Sequence, residues 1–265
     1  MDIFNKETRK VKCIKNDDTE AWGFNGTGHL LTVGMEYTLV NTKVYGWHTR
    51  VELKEFPNVQ FNSILFKEIY KFKNGIFLAR MQPLHKAHMY IIETALKECE
   101  HVTIILGSSN KKDMLRNPFD LERRKSWVER ALVNSKDYNR ISIYEVPDWS
   151  YENDKDDVIT WGRYFYYNVV SRIESKKFTI YYNDDLEIIN SWFNSEVKDY
   201  ITIRHLERSE MFNGLSATKI REAILKKDLD YLATYLPESV FADFNFLYDY
   251  YKQVTENPTE DFSME

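Results

Sequence analysis

His85 and His88 follow the run Arg80-Met81-Gln82-Pro83-Leu84, and a second group of hydroxyls and cations, Ser216-Ala217-Thr218-Lys219-Ile220-Arg221, lies far downstream. At i and i+3 near the start of a helix, two imidazoles share one face. A helix N-terminus offers unpaired N–H groups and a partial positive charge, which favour a phosphate. Imidazoles there donate hydrogen bonds to a polyphosphate without fixing a large charge. The same pair also reads as two surface histidines or as part of a metal site, although zinc would need further ligands and no Cys or Glu stands at suitable spacing nearby. In the second group Ser216 is a good N-cap and Thr218 falls in the first turn. Their hydroxyls, the free N–H groups, Lys219 and Arg221 make an anion cradle; a plain cap before an amphipathic helix is the other reading of the same residues.

The elements that must hold these groups show as a change of period along the chain. Residues 1–7 are polar and expected to be loose. From Arg9 to about Ile69 short alternating stretches, Val11–Lys15, Met35–Val40 and Gly46–Leu53, are separated by turn signals such as Asn16-Asp17-Asp18 and Asn25-Gly26-Thr27-Gly28. They predict a small all-β, barrel-like domain over 1–70. Gly23, Gly26 and Gly28 imitate a phosphate loop, but their order is GxxGxG and no helical pattern follows, so they read as a turn. Beyond Tyr70 strands and helices alternate. Strand Gly75–Ala79, helix Lys86–Cys99 and strand Val102–Leu106 form a βαβ unit, which should be right-handed and parallel. Further strands at Ile141–Val146, Phe178–Tyr182 and Tyr200–Leu206 alternate with helices at Leu121–Val133, Thr160–Ile173 and Leu186–Phe193, with a polar-aromatic insert at Pro147–Asp157. The expected fold of 71–265 is thus α/β: a Rossmann-like, doubly wound, five-stranded parallel sheet. Such sheets bind ligands beyond the carboxyl ends of their strands, where Arg80–His85 would lie. Helices over Ser216–Lys227, Asp230–Leu236 and Ser239–Val254 follow, and the tail Thr255–Glu265 is expected to be disordered.

Composition limits the function classes. The 265 residues are 43% hydrophobic and 29% charged, the mix of a folded globular chain rather than a disordered one. A net charge of −5 leaves no general basic field for nucleic acid, while a local cluster can still hold a small anion. Cys13 and Cys99 form no metal-ligand spacing and favour a reducing compartment. Neither a signal-peptide pattern nor a run of membrane-spanning length is present, so a cytoplasmic protein with no membrane partner is expected.

Taken together, the two groups make a family resemblance visible. Arg80–His88 resembles the GRFxPxHxGH signature of the nucleotidylyltransferase superfamily, and Leu215–Arg221 resembles its ISxTxxR signature. Within the superfamily the chain is most similar to the archaeal-type nicotinamide-nucleotide adenylyltransferases, over residues 74–225. Gly107-Ser108-Ser109 with Asn117-Pro118-Phe119 looks like that family's GS…NPF segment, and Arg124 falls at its following arginine. Val146-Pro147-Asp148 looks like its IPD, Tyr182-Asn183-Asp184 like its SNN, and Met211-Phe212-Asn213 like its MFN. There are departures: Ala87 and Ala217 stand where the family has glycine, adding methyls where backbone could approach phosphate, Arg123 replaces a glutamate, and Val158 replaces an asparagine upstream of Trp161.

The resemblance implies attack by the phosphate of nicotinamide mononucleotide on the α-phosphorus of ATP, giving NAD and pyrophosphate. It implies His85, His88, Arg80 and Arg221 as the catalytic set. ATP would be held by Ala79, Met81, Gln82, Gly107, Ser108, Arg124, Ser216, Thr218 and Lys219, and the acceptor by Trp161, Asp148 and Asn183. Mg²⁺ would ride on the triphosphate rather than in a protein cage. Other acceptors with the same chemistry are flavin mononucleotide, phosphopantetheine or a phosphoalcohol, and a nucleotide-sensing regulator with weakened turnover is the remaining alternative. A homo-oligomer is possible, and the N-terminal module is expected to serve as scaffold or protein contact.

Overall fold

Runs of branched apolar residues set the parallel sheet of the larger unit, in a computed structural model that describes residues 8–148, 158–193 and 195–259. Five strands, β6 (Phe72–Ala79), β7 (Cys99–Leu106), β8 (Ile141–Glu145), β9 (Phe178–Tyr182) and β10 (Ile201–His205), form one sheet in the order β10-β9-β6-β7-β8. All four pairings are parallel, with Ile76 opposite Thr103 on β7 and Ile180 on β9. The chain winds outward from β6 to β8, then returns to β9 and β10 on the other side. The order therefore reverses between β6 and β9, and that is where the crevice of such a sheet opens.

Alternation along the strands loads both faces. Phe77, Ile104 and Leu106 pack with helices α1 (Lys86–Glu98), α2 (Leu121–Leu132), α6 (Ala217–Lys226) and α9 (Phe244–Glu256). Ile76 and Ile105 face the other way, onto α3 (Val158–Ile173) and α4 (Leu186–Trp192). Two short helices, α7 (Leu229–Tyr235) and α8 (Glu238–Phe241), and the single-turn α5 (Ser195–Lys198) complete this unit, Lys71–Glu265. The helix expected over Ser239–Val254 is broken after Phe241. Asp243, at the break, accepts from Trp127 Nε1 at 2.8 Å and pairs with Arg130. A tertiary bond thus replaces a helical turn that the sequence pattern would permit. Helix α9 runs to Glu256, further than the expected start of a disordered tail at Thr255. Most of the Pro147–Asp157 insert and the last six residues lie outside the described residues, as do residues 1–7.

The described residues of the other compact unit, Met1–Tyr70, are built on β-strands. Strands β1 (Arg9–Cys13), β2 (Glu36–Val44), β3 (Thr49–Leu53), β4 (Phe56–Asn62) and β5 (Phe66–Glu68) form an antiparallel ladder in the order β4-β3-β2-β1-β5. Its buried side, Val11, Cys13, Leu39, Val51, Leu53 and Phe61, is the apolar half of the alternation seen in the sequence. Among the described residues no helix is long and apolar enough to cross a membrane.

Candidate active site

The carboxyl ends of β6, β7, β9 and β10 and the segment after β8 all deliver residues to one cleft of about 450 Å³. From β6 come Leu78, Ala79 and Arg80, followed by Met81 and Gln82 in the turn; Met81 is buried with φ of 51°, a left-handed conformation unusual for a non-glycine residue. The turn delivers His85 as N-cap of α1 and His88 in its first turn. Gly107 and Ser108 line the cleft after β7, Asp148 after β8, Tyr182, Asn183 and Asp184 after β9, and Arg208 after β10. Ser216, Ala217, Thr218 and Arg221 enter from the start of α6, and Trp161 and Trp192 from α3 and α4.

A direct bond joins the two motifs. The Arg221 guanidinium, 7% exposed, donates to the Gln82 carbonyl at 2.8 Å and to Thr218 Oγ1 at 3.3 Å. Ser216 caps α6 by accepting from the Lys219 N–H at 3.3 Å. Two long helices therefore present their first turns to the same cleft.

The histidine rings stack at 3.7 Å between centroids, and the His85 N–H donates to His88 Nδ1 at 3.3 Å. That bond leaves the proton of a neutral His88 on Nε2. Burial first, then the Arg208 and Arg221 charges, pushes His85 down to about 3. Burial first, then His85 and Arg208, holds His88 well below the ordinary histidine value. Both rings are therefore neutral donors at pH 7. Arg80 is also depressed, by burial and then by the neighbouring Arg221 and Arg116 charges. Cations that repel one another around a cleft are stabilised together by a polyanion.

Several of the expected ligands spend their side chains on backbone groups around the site. Arg124, fully buried, donates to the carbonyls of Arg80 and Gly107, each at 2.8 Å, and of Ser108 at 3.1 Å, and it does not line the cleft. Burial lowers it only to about 10, so it stays charged and ties the ends of β6 and β7 together. Lys219 also lies outside the lining; its Nζ donates to the carbonyls of Asn213 and Gly214 at 3.1 and 3.0 Å. That closes a loop in which Phe212, Asn213 and Gly214 all have positive φ. Gln82 borders the cleft, yet its amide is occupied by both backbone groups of Phe119, at 2.8 and 2.9 Å. The methyl of Ala87 is fully buried in the core with Ile91 and Ile92 and does not line the cleft, whereas Ala217 does.

The aromatic wall is held by a close approach. A Cβ on Gly162 would lie 1.6 Å from the Trp192 carbonyl oxygen, so only glycine lets α3 and the end of α4 meet there. Trp161 and Trp192 then pack edge to face at 6.1 Å. Asp148 accepts from Ser108 Oγ at 3.0 Å and pairs with Lys111 at 3.2 Å. Sequence reasoning missed Arg116, Trp192 and Arg208, and it reached Tyr182 and Asp184 only as neighbours of Asn183 in one motif. Position just past a strand's carboxyl end was the available signal for Asp184 and Arg208.

Known proteins resemble this unit. A family model described as cytidylyltransferase-like matches residues 76–223. A nicotinamide-nucleotide adenylyltransferase of Methanococcus maripaludis is 30% identical over 155 residues, 57% of this chain and 77% of that protein. A nicotinamide/nicotinic acid mononucleotide adenylyltransferase of Acinetobacter baylyi is 35% identical over 80 residues, 30% of this chain and 42% of that protein. The chain thus spans about two fifths of that relative's length, and likewise 41% of the Thermococcus onnurineus nicotinamide-nucleotide adenylyltransferase. A bifunctional NMN adenylyltransferase/ADP ribose pyrophosphatase of Francisella tularensis, solved with AMP and a manganese ion, superposes with a TM-score of 0.54 at 20% identity. That superposition covers 71% of this chain and 52% of the other, and it is a likeness of fold.

Proposed function

The chain belongs to the cytidylyltransferase-like family, and on that premise we propose that it transfers the adenylyl group of ATP to nicotinamide mononucleotide, releasing pyrophosphate and forming NAD. The observation that carries the reading is the Arg221–Gln82 bond, which makes one polyphosphate cradle of two helix starts. The names and extents of the relatives support the choice of acceptor.

In this reaction a phosphate oxygen of the mononucleotide bonds to the α-phosphorus, the bond to the bridging oxygen breaks, and the electron pair leaves on pyrophosphate. The nucleophile is already an anion at neutral pH, so positioning and charge stabilisation suffice. Arg80, Ser216, Thr218 and Arg221 hold the β- and γ-phosphates. His85 and His88 donate to phosphate oxygens as neutral rings, with His88 Nε2–H bearing most on the charge that develops at the reacting phosphorus. Gly107 and Ser108 border the adenosine, and Arg124 positions them from beneath. Trp161 stacks on the pyridine ring, near Asp148 and Asn183.

A divalent cation, Mg²⁺ in this reading, enters with the triphosphate as part of the substrate. The donor set fits that role: among the described residues no three His, Cys, Asp or Glu are grouped to hold a metal. The cleft carboxylates Asp148 and Asp184 are already paired with Lys111 and Arg208. The bound ion would draw charge off the phosphate oxygens. For the β unit, with Trp22 and Trp47 exposed, we propose a scaffold or protein-contact role and no part in the chemistry.

Pyrophosphate release measured with ATP against nicotinamide mononucleotide, nicotinic acid mononucleotide, flavin mononucleotide, phosphopantetheine and phosphocholine tests the reading. Turnover with the nicotinamide nucleotide, at a kcat/KM at least tenfold above the non-pyridine acceptors, is expected. Turnover with one of those others alone would reassign the acceptor. ATP binding without turnover on any acceptor would leave a nucleotide sensor.

A further inference from the structure

Arg208 belongs to neither histidine turn nor Ser216–Arg221 cradle, yet it lines the same cleft. It opens a short turn after β10 that is braced on both sides. The Leu206 N–H donates to the Tyr182 carbonyl at 2.8 Å, the Met211 N–H to the Arg208 carbonyl at 3.1 Å, and His205 Nε2 lies 2.9 Å from the Asp184 carbonyl oxygen. The guanidinium is therefore carried on a fixed backbone. One of its nitrogens pairs with Asp184 Oδ2 at 2.9 Å. Its Nε is buried without a hydrogen-bond partner among the described residues, as is Nε of Arg221, which lines the same cleft. Two arginines from unrelated segments thus keep buried donors unspent at one cleft, and a buried unsatisfied donor is rare unless a ligand completes it.

We propose that Arg208 is a further catalytic residue of this site: it contacts the oxygens of the phosphate undergoing transfer, and Asp184 is the side-chain anion that this phosphate displaces. The inference rests on the adenylyl-transfer reading. Geometry favours the exchange. The pair is half-exposed, with side chains 40% and 52% accessible, and such a pair is held by less than about a tenfold preference. A phosphate with several oxygens and higher charge competes well for a guanidinium fork. The charge of Arg208 also reaches both histidines, consistent with its standing at the reacting end of the cleft.

The test compares wild type, Arg208→Gln, Arg208→Lys and Asp184→Asn in steady-state turnover, in binding of AMP, whose phosphate is the one transferred, and in thermal melts. Arg208→Gln should lower kcat by about 100-fold or more while the KM for ATP moves less than tenfold. Arg208→Lys, which keeps the charge but loses the fork, should lose at least about tenfold in kcat. Asp184→Asn should bind AMP more tightly than wild type. A kcat within threefold of wild type in either arginine variant would overturn the assignment. So would an Asp184→Asn protein that loses as much turnover as Arg208→Gln, because the pair would then be a strut. If wild type binds AMP and turns over while Arg208→Gln does both equally well, the inference falls and the function stands. If wild type does neither, the function falls and takes the inference with it.

Discussion

Replacing Arg221 by Met separates the two jobs of the central cradle, because methionine keeps the packed stem and deletes the charge. In the native protein the guanidinium is 7% exposed, donates to Gln82 and Thr218, and lies 6.0 Å from the centre of the Tyr251 ring. Its loss leaves the Gln82 carbonyl without that donor, a cost of about 1–3 kcal/mol. Removing a desolvated charge offsets part of this, so a net loss of about 1–2 kcal/mol is expected. For a domain of this size that is a drop of about 2–8 °C in melting temperature. The kinetic loss should be larger. Withdrawal of one preorganised donor from a developing oxyanion costs about 10²–10³ in kcat, or about 2.7–4 kcal/mol. Steady-state pyrophosphate release and a thermal melt on the same preparation read both numbers. A kcat within threefold of wild type, with the melt lowered as predicted, would refute the cradle and leave Arg221 a structural tie.

Three further outcomes follow from the same geometry. Gly162→Ala must push apart α3 and the Trp192 carbonyl; a destabilisation of about 1–3 kcal/mol and a raised KM for the acceptor, with the KM for ATP little changed, are expected in melts and kinetics, and an unaffected acceptor KM would remove the tryptophan wall from the acceptor side. Ala87→Gly should cost about 1 kcal/mol in stability through helix propensity with kcat unchanged, since the methyl faces the core; a change in kcat at constant stability would place that methyl beside the phosphates. The depressed histidines give a pH dependence whose sign is set by the unfolded chain. Below pH 6.5 unfolded histidines bind protons that His85 and His88 in the fold refuse, so stability is whole above 6.5 and falls as pH drops toward 3. At pH 5.5 His85 contributes a loss of about 1.4 kcal/mol, and His88 adds to it in the same direction; the melting-temperature gap between pH 7.5 and 5.5 should shrink in a His85→Asn, His88→Asn double variant, and an unchanged gap would contradict the depression.

Much of the α/β unit was legible because its strands are buried on both faces, and a segment such as Val102–Leu106 has few other ways to be folded. The histidine turn and the Ser216 cap were legible for a local reason: residue type and spacing alone define a helix start. What stayed hidden depended on distant partners. Arg124 and Lys219 have the composition of phosphate ligands, yet backbone carbonyls from loops remote in sequence take their hydrogen bonds. Gln82 is likewise spent on Phe119, 37 positions away. Arg208 and Trp192 follow no periodic pattern and reach the cleft only because β10 and α4 end beside it. The break before Phe244 was invisible for the same reason, as it depends on Trp127 and Arg130 gripping Asp243.

The central claim is that a neutral His88, fixed by the His85 N–H and presenting Nε2–H to the cleft, stabilises the phosphate in transfer. Turnover of His88→Ala at saturating ATP and nicotinamide mononucleotide, beside its melting temperature, tests it most directly. The account predicts a kcat lowered by about 10²–10³ or more in a protein that still melts cooperatively within a few degrees of wild type. A folded His88→Ala protein that releases pyrophosphate at a near-normal rate would contradict it.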